Sequence, residues 1–206
     1  HCLERFGRRP VDQLAEWGWV GDDVWLAHGI WLDDAEVTLL GQAGTGVAHC
    51  PSSNARLAAG MCRVTDLLGA AVPVGLGVDG VASNEVGGLF PELRQALYTA
   101  RLRELRPDAL MPAQVLDLGT RGGAACLGRP DLGRLEVGAA ADIAVWPGDD
   151  LGDVEDPVTG LVMGPDRRVR HSFVAGRPLV RDGELVGMDH KDAHRTLAQR
   201  AQRLWS

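Results

Sequence analysis

Three short apolar runs, each ending in a side chain that binds metal or moves protons, constrain this chain more than any other feature. They are Val24-Trp-Leu-Ala-His28, Thr45-Gly-Val-Ala-His49 and Val72-Pro-Val-Gly-Leu-Gly-Val-Asp79. Each has strand character, and helical patterns separate them, so they predict parallel strands joined by crossover helices. In parallel α/β folds the reactive groups sit at the carboxyl ends of the strands. A single polar residue there is explained as a strand cap, but three in register point to a site.

The third run carries the most information. Val72, Val74, Leu76 and Val78 suit a buried strand, Gly75 and Gly77 leave room for another backbone or a ligand to come close, and Gly80, Ser83 and Asn84 make a polar turn. Gly75-x-Gly77-x-x-Gly80 matches the dinucleotide-binding spacing. We reject that reading, because two of the glycines lie within the strand and Asp79 would repel a pyrophosphate.

Along the chain, residues 1–19 read as two helices broken at Pro10, followed by a strand over 24–31. Asp33 and Glu36 supply an N-cap and first-turn acids for a helix through Val37, Leu39 and Leu40, ended by Gly41 and Gly44. A strand over 46–50 leads into a loop, Pro51-Ser-Ser-Asn-Ala-Arg56, rich in hydrogen-bonding groups. A helix over 64–71 returns to the third strand, and a longer one over 89–106 places Leu93, Ala96, Leu97 and Leu102 on one face. Another helix over 112–120 continues past small residues to Gly128.

Beyond Gly128 the composition changes to short strands over 132–138, 141–146 and 169–181, with an Asp182-Gly183 hairpin signal. A final helix over 191–205 carries a solvated basic face of Lys191, Arg195, Arg200 and Arg203. The expected division is therefore 1–128 for the α/β part, 129–190 for a small β-domain and 191–206 for the terminal helix. Three βα units cannot close an eight-stranded barrel. Either the sheet is open or further strands precede residue 1, and the start, without Met and directly in an amphipathic helix, favours the second.

A net charge of −7 argues against a nucleic-acid backbone or an anionic membrane as partner and favours a small neutral or cationic substrate. The four cysteines are widely spaced with no C-x-x-C pair, which fits a reducing cytoplasm and excludes a dense disulfide framework. No apolar run reaches the length of a membrane span. Trp17, Trp19, Trp25 and Trp31 crowd one region and are assigned to packing, with Trp31, three residues after His28, the one placed to meet a ligand. Ser83 reads as a turn residue rather than a nucleophile, since no nucleophile elbow surrounds it. His28, His49 and Asp79 suit a three-ligand site for zinc or iron with an open position for water, although spacing leaves open which are ligands and which carry protons.

Leu26-Ala-His-Gly-Ile30, Ala48-His-Cys-Pro-Ser-Ser-Asn54 and Gly75-Leu-Gly-Val-Asp-Gly-Val-Ala-Ser-Asn84 resemble the amidohydrolase superfamily, in the branch of aminopyrimidine and purine deaminases and triazine hydrolases. Cys2-Leu-Glu-Arg-Phe-Gly7 and Gly18-Trp-Val-Gly-Asp-Asp-Val-Trp25 are most similar to 8-oxoguanine deaminases. The resemblance covers nearly the whole chain and implies the last part of a (β/α)8 barrel, then strands of a β-sandwich. It implies a hydrolytic deaminase of a purine- or pyrimidine-type ring using water and one divalent metal, zinc first and iron second. Asp79 would bind the metal and accept the proton of the attacking water, His28 would polarise the reacting centre, and His49 would support the site. Asn54, Ser83 and Trp31, with His49, would contact substrate. The family's H-x-H ligands are not in this sequence. The alternatives are a triazine amino- or chlorohydrolase and an inactive ligand-binding or partner-pairing module, with self-association left open.

Overall fold

The computed structural model describes residues 1–148, 151, 155–188 and 190–205, which form two compact units, one from 1–134 with 151–166 and one from 135–150 with 167–206. The first unit is built on a three-stranded parallel sheet of β1 (Trp25–Ala27), β2 (Gly46–His49) and β3 (Val74–Leu76), in the order β1-β2-β3. Leu26 lies beside Val47, and Val47 beside Val74. The crossover helices are α3 (Asp34–Ala43), α4 (Pro51–Arg56) and α5 (Val64–Gly69), preceded by α1 (Cys2–Phe6) and α2 (Pro10–Glu16). Leu40, Val47, Leu67 and Val74, all buried, join sheet and helices into one core.

The expected cap of α3 is present: Glu36 N–H donates to Asp33 Oδ1 and Asp33 N–H donates to Glu36 Oε2, both at 2.9 Å. Gly44 closes the helix with φ +72°, whereas Gly41 lies inside it, where a Cβ would stand 2.1 Å from the Ala70 carbonyl oxygen. The first strand is shorter than expected, because His28 and Gly29 turn left-handed with φ +71° and +57°. The segment 51–56 is a helix rather than a loop, started by Pro51 at its first position, where a missing N–H costs nothing.

Helix α6 (Leu89–Glu104) buries Leu93, Ala96, Leu97 and Ala100. Leu102 is exposed instead of sharing that face, since five residues from Leu97 carry it about 140° around the helix. A continuous helical rod then runs from α7 (Pro112–Asp117) through a π-helical turn at Leu118–Gly122 into α8 (Gly123–Cys126). This rod lies against β3, so closely that a Cβ on Gly75 would meet Gly123 Cα at 2.9 Å and one on Gly122 would meet the Val74 oxygen at 2.0 Å. The close backbone approach expected at Gly75 is thus made by this rod. Helix α9 (Pro157–Met163), unassigned from sequence, adds buried Val162 to the same core.

The second unit contains an antiparallel sheet of β4 (Ile143–Val145), β5 (His171–Val174), β6 (Arg177–Arg181) and β7 (Glu184–Leu185), in chain order. Asp182 and Gly183, with φ +51° and +83°, make the expected two-residue turn. Ala175 and Gly176, at +49° and +75°, make a second one between β5 and β6. Residues 132–138 form turns and bends, not a strand, because Gly133 and Gly138 are left-handed. In helix α10 (His190–Trp205), Arg195, Arg200 and Arg203 are exposed, as a solvated face requires. Among the described residues no helix is long and apolar enough to cross a membrane.

Trp17, Trp19, Trp25 and Trp31 are not core. Trp25 is 47% exposed and Trp31 79%, with Trp17 and Trp19 between them. Of their rings, Trp17 makes an edge contact with Phe6 at 5.6 Å between centroids.

Candidate active site

A cavity of about 330 Å³ runs along one face of the three strands, from Trp25 and Cys126 at their amino ends to His28, Cys50 and Asp79 at their carboxyl ends. Side chains alternate along a strand. Gly75 is therefore on the cavity side, where Gly123 packs directly on it, and Gly77 and Asp79 line the cavity beyond the end of β3. His28 follows β1 through a left-handed residue, and Asp79 is left-handed too, at φ +64°. A non-glycine residue held there stores about 1 kcal/mol or more of strain, so both reach the cavity through backbone conformations that the surrounding structure must enforce.

Nδ1 of His28 donates to Asn54 Oδ1 at 2.8 Å, which leaves Nε2 facing the cavity 3.7 Å from Asp79 Oδ2. Asp79 is held from three directions. Ser53 Oγ donates to its Oδ2 at 2.6 Å, Ser83 Oγ donates to the same oxygen at 2.9 Å, and the Gly80 amide donates to Oδ1 at 2.7 Å. These bonds, led by that from Ser53, pull the carboxyl down to a pKa of about 2, with His28 adding a smaller effect in the same direction. Cys50 is inert by contrast: burial, and then the Asp79 charge, push its thiol up to about 11.

His49 does not join this cleft. Ala48 takes the cavity side, so His49 points to the helix layer, where it lines a separate cavity with Asn54, Gln95 and Thr99. It is 2% exposed, and neither ring nitrogen has a hydrogen-bond partner among the described residues. Burial, with His28 nearby, lowers its pKa to about 4 and keeps it neutral. Asn54 stands between the two regions, binding His28 on one side and lining the His49 cavity on the other. Ser83 is engaged with Asp79. Trp31 borders a second cavity of about 500 Å³ on the other flank of His28.

Sequence reading missed Ser53 and Glu92. Ser53 is one of several polar groups in a stretch that reads as a loop; only its place on α4 reveals that it reaches Asp79. Glu92, on α6, is 1% exposed and accepts from the Ser52 amide at 3.0 Å and from Asn84 Nδ2 at 2.9 Å. An acid in a helical first turn gives no sign in the sequence that it will be buried.

The pattern of an Amidohydrolase family domain matches residues 1–179. The chain belongs to the amidohydrolase family. Among its relatives is the 8-oxoguanine deaminase of Pseudomonas aeruginosa, 45% identical over 190 residues, a match covering 91% of this chain and 42% of that protein. The crystal structure of a zinc-bound adenosine deaminase from Xanthomonas campestris superposes with a TM-score of 0.94 at 32% identity, over 98% of this chain and 47% of that one. The zinc complex of atrazine chlorohydrolase from Arthrobacter aurescens gives 0.90 at 37%, over 96% and 45%. The chain thus spans under half the length of the proteins it matches.

Both of those amidohydrolase structures hold zinc. In this chain no three His, Cys, Asp or Glu side chains among the described residues are grouped to hold a metal ion. His28 and Asp79 are two donors, and the nearer Asp79 oxygen already accepts two hydroxyl bonds. The residues present therefore do not make a metal site by themselves.

Proposed function

We propose that this chain carries the last strand ends of the active site of a hydrolytic deaminase acting on a purine- or pyrimidine-type ring, as in 8-oxoguanine, within a (β/α)8 barrel whose other strands lie outside these residues. The observation that carries the reading is the convergence of His28 and Asp79 from β1 and β3 into one cavity, each on a left-handed residue. The 45% identity to an 8-oxoguanine deaminase supports the substrate class.

In this reading Asp79 takes the proton of the water that attacks the amino-bearing carbon, and the protonated amine leaves as ammonia. A carboxylate this acidic is a weak base. Its proton affinity rises when substrate draws Ser53 or Ser83 away or shields the carboxyl from water, while the Gly80 amide continues to hold it down. His28 can stabilise negative charge on the ring only as a donor. Nδ1 is already bonded to Asn54, so Nε2 is the atom that His28 turns towards substrate, with Asp79 beside it. Asp79 would also serve as one ligand of a divalent metal, zinc before iron, whose remaining donors come from outside the described residues. Trp31 would border the bound ring, and His49, behind the sheet, would touch no substrate.

The test is ammonia release by the full-length gene product. Asp79→Asn is expected to abolish turnover, and His28→Ala to lower kcat by about 10²- to 10⁴-fold. Near-wild-type kcat in Asp79→Asn would refute the assignment. The likeness to atrazine chlorohydrolase favours one other reading, hydrolysis of a triazine. Chloride release from a chlorotriazine exceeding ammonia release from 8-oxoguanine would select it.

A further inference from the structure

Glu92 is a buried carboxylate that packing does not explain. Taking a carboxylate out of water costs several kcal/mol, and no cation is paired with it among the described residues, so an apolar side chain would fill the space at lower cost. What offsets the burial is specific. Glu92 lies in the first turn of α6, where the helix dipole favours an anion, and each of its oxygens receives one N–H.

Those two donors belong to the two segments that hold Asp79. One is the amide of Ser52, at the start of α4, whose N-cap residue Cys50 offers no side-chain cap; the next residue, Ser53, donates to Asp79 Oδ2 at 2.6 Å. The other is Nδ2 of Asn84, which also donates to the Val78 carbonyl at 2.9 Å, one residue before Asp79. Asn84 closes the turn that contains Gly80 and Ser83, the remaining donors to Asp79. Both flanks of Asp79 are therefore tied to a single side chain.

We propose that Glu92 is the positioning residue of this site: its carboxylate fixes the start of α4 and the 78–84 turn relative to each other, and so sets where the Asp79 carboxylate points. Its effect on catalysis rests on the reading of Asp79 as the proton acceptor; its effect on geometry does not. Glu92→Gln keeps the shape and replaces one acceptor oxygen with a donor, so whichever way the amide turns, either Ser52 N–H or Asn84 Nδ2 loses its bond.

The test uses the full-length gene product and two readouts. In the first, hydrogen exchange is followed by mass spectrometry. Glu92→Gln should speed exchange at 51–54 and 78–84 by about tenfold or more while leaving β2 protected. Unchanged exchange in both segments would overturn the proposal, whether or not the protein deaminates anything.

In the second, Glu92→Gln should lower kcat by about 10- to 100-fold with KM changed less than about threefold, the scale of a misplaced catalytic group. Combined with Ser53→Ala, its effect on kcat should be less than multiplicative, because both act through Asp79. Fully multiplicative effects, or a loss confined to melting temperature, would leave Glu92 an ordinary structural residue. A wild-type protein that releases no ammonia from aminopurines would defeat the deaminase reading alone, and hydrogen exchange would still decide the role of Glu92.

Discussion

At the scale of single residues, His49 shows what a buried, unpartnered imidazole does to stability. Its pKa is lowered from 6.5 to about 4 by burial, so between those values the unfolded chain binds a proton that the native one refuses. Stability from this residue is complete above about pH 6.5 and falls as pH drops towards 4, by about 3 kcal/mol if the whole shift is expressed. Asp79, lowered to about 2, loses its contribution only below about pH 3.8, so the two windows do not overlap. His49→Leu should flatten the fall in melting temperature between pH 6.5 and 4; an unchanged slope would show that His49 is not its source. That three reactive residues end three strands was legible in the sequence. That His49 faces away was not, because a strand covered on both sides carries no polar alternation to mark its faces.

At the scale of elements, the turns and caps were the most legible features. Asp33 with Glu36, and Asp182 with Gly183, act through neighbours in sequence, so local chemistry specifies them. The rod 112–126 was legible as helix, but its closeness to β3 was not, since Gly122 and Val74 meet only in the fold. That contact is testable. Alanine is the better helix former by about 1 kcal/mol, and Gly122 already has helical φ and ψ, so propensity alone favours Gly122→Ala. The new Cβ would stand 2.0 Å from the Val74 backbone oxygen, and backbone cannot move aside as a flexible side chain does. Overpacking of about 1–3 kcal/mol should win, and Gly122→Ala is expected to lower the melting temperature, measured by circular dichroism. A rise would mean that the rod can slide on β3.

At the scale of the whole molecule, donor count and sheet edges decide what residues 1–206 do when purified as this chain. The parallel sheet has β2 between two strands that each pair on one side only among the described residues, and parallel sheets are rarely stable with bare edges. The cavity groups two donors where a catalytic zinc takes three from the protein, and water displaces an ion so held. The chain is therefore expected to self-associate, to retain well under one zinc per chain after dialysis, and to release no ammonia from 8-oxoguanine, guanine or cytosine. Size-exclusion chromatography, atomic absorption and an ammonia assay on one preparation check all three. Self-association alone would leave room for donors supplied between copies. A monodisperse, stoichiometrically metallated and active product would instead show that His28 and Asp79 need no further ligands, and that the strand ends in this chain are a complete site.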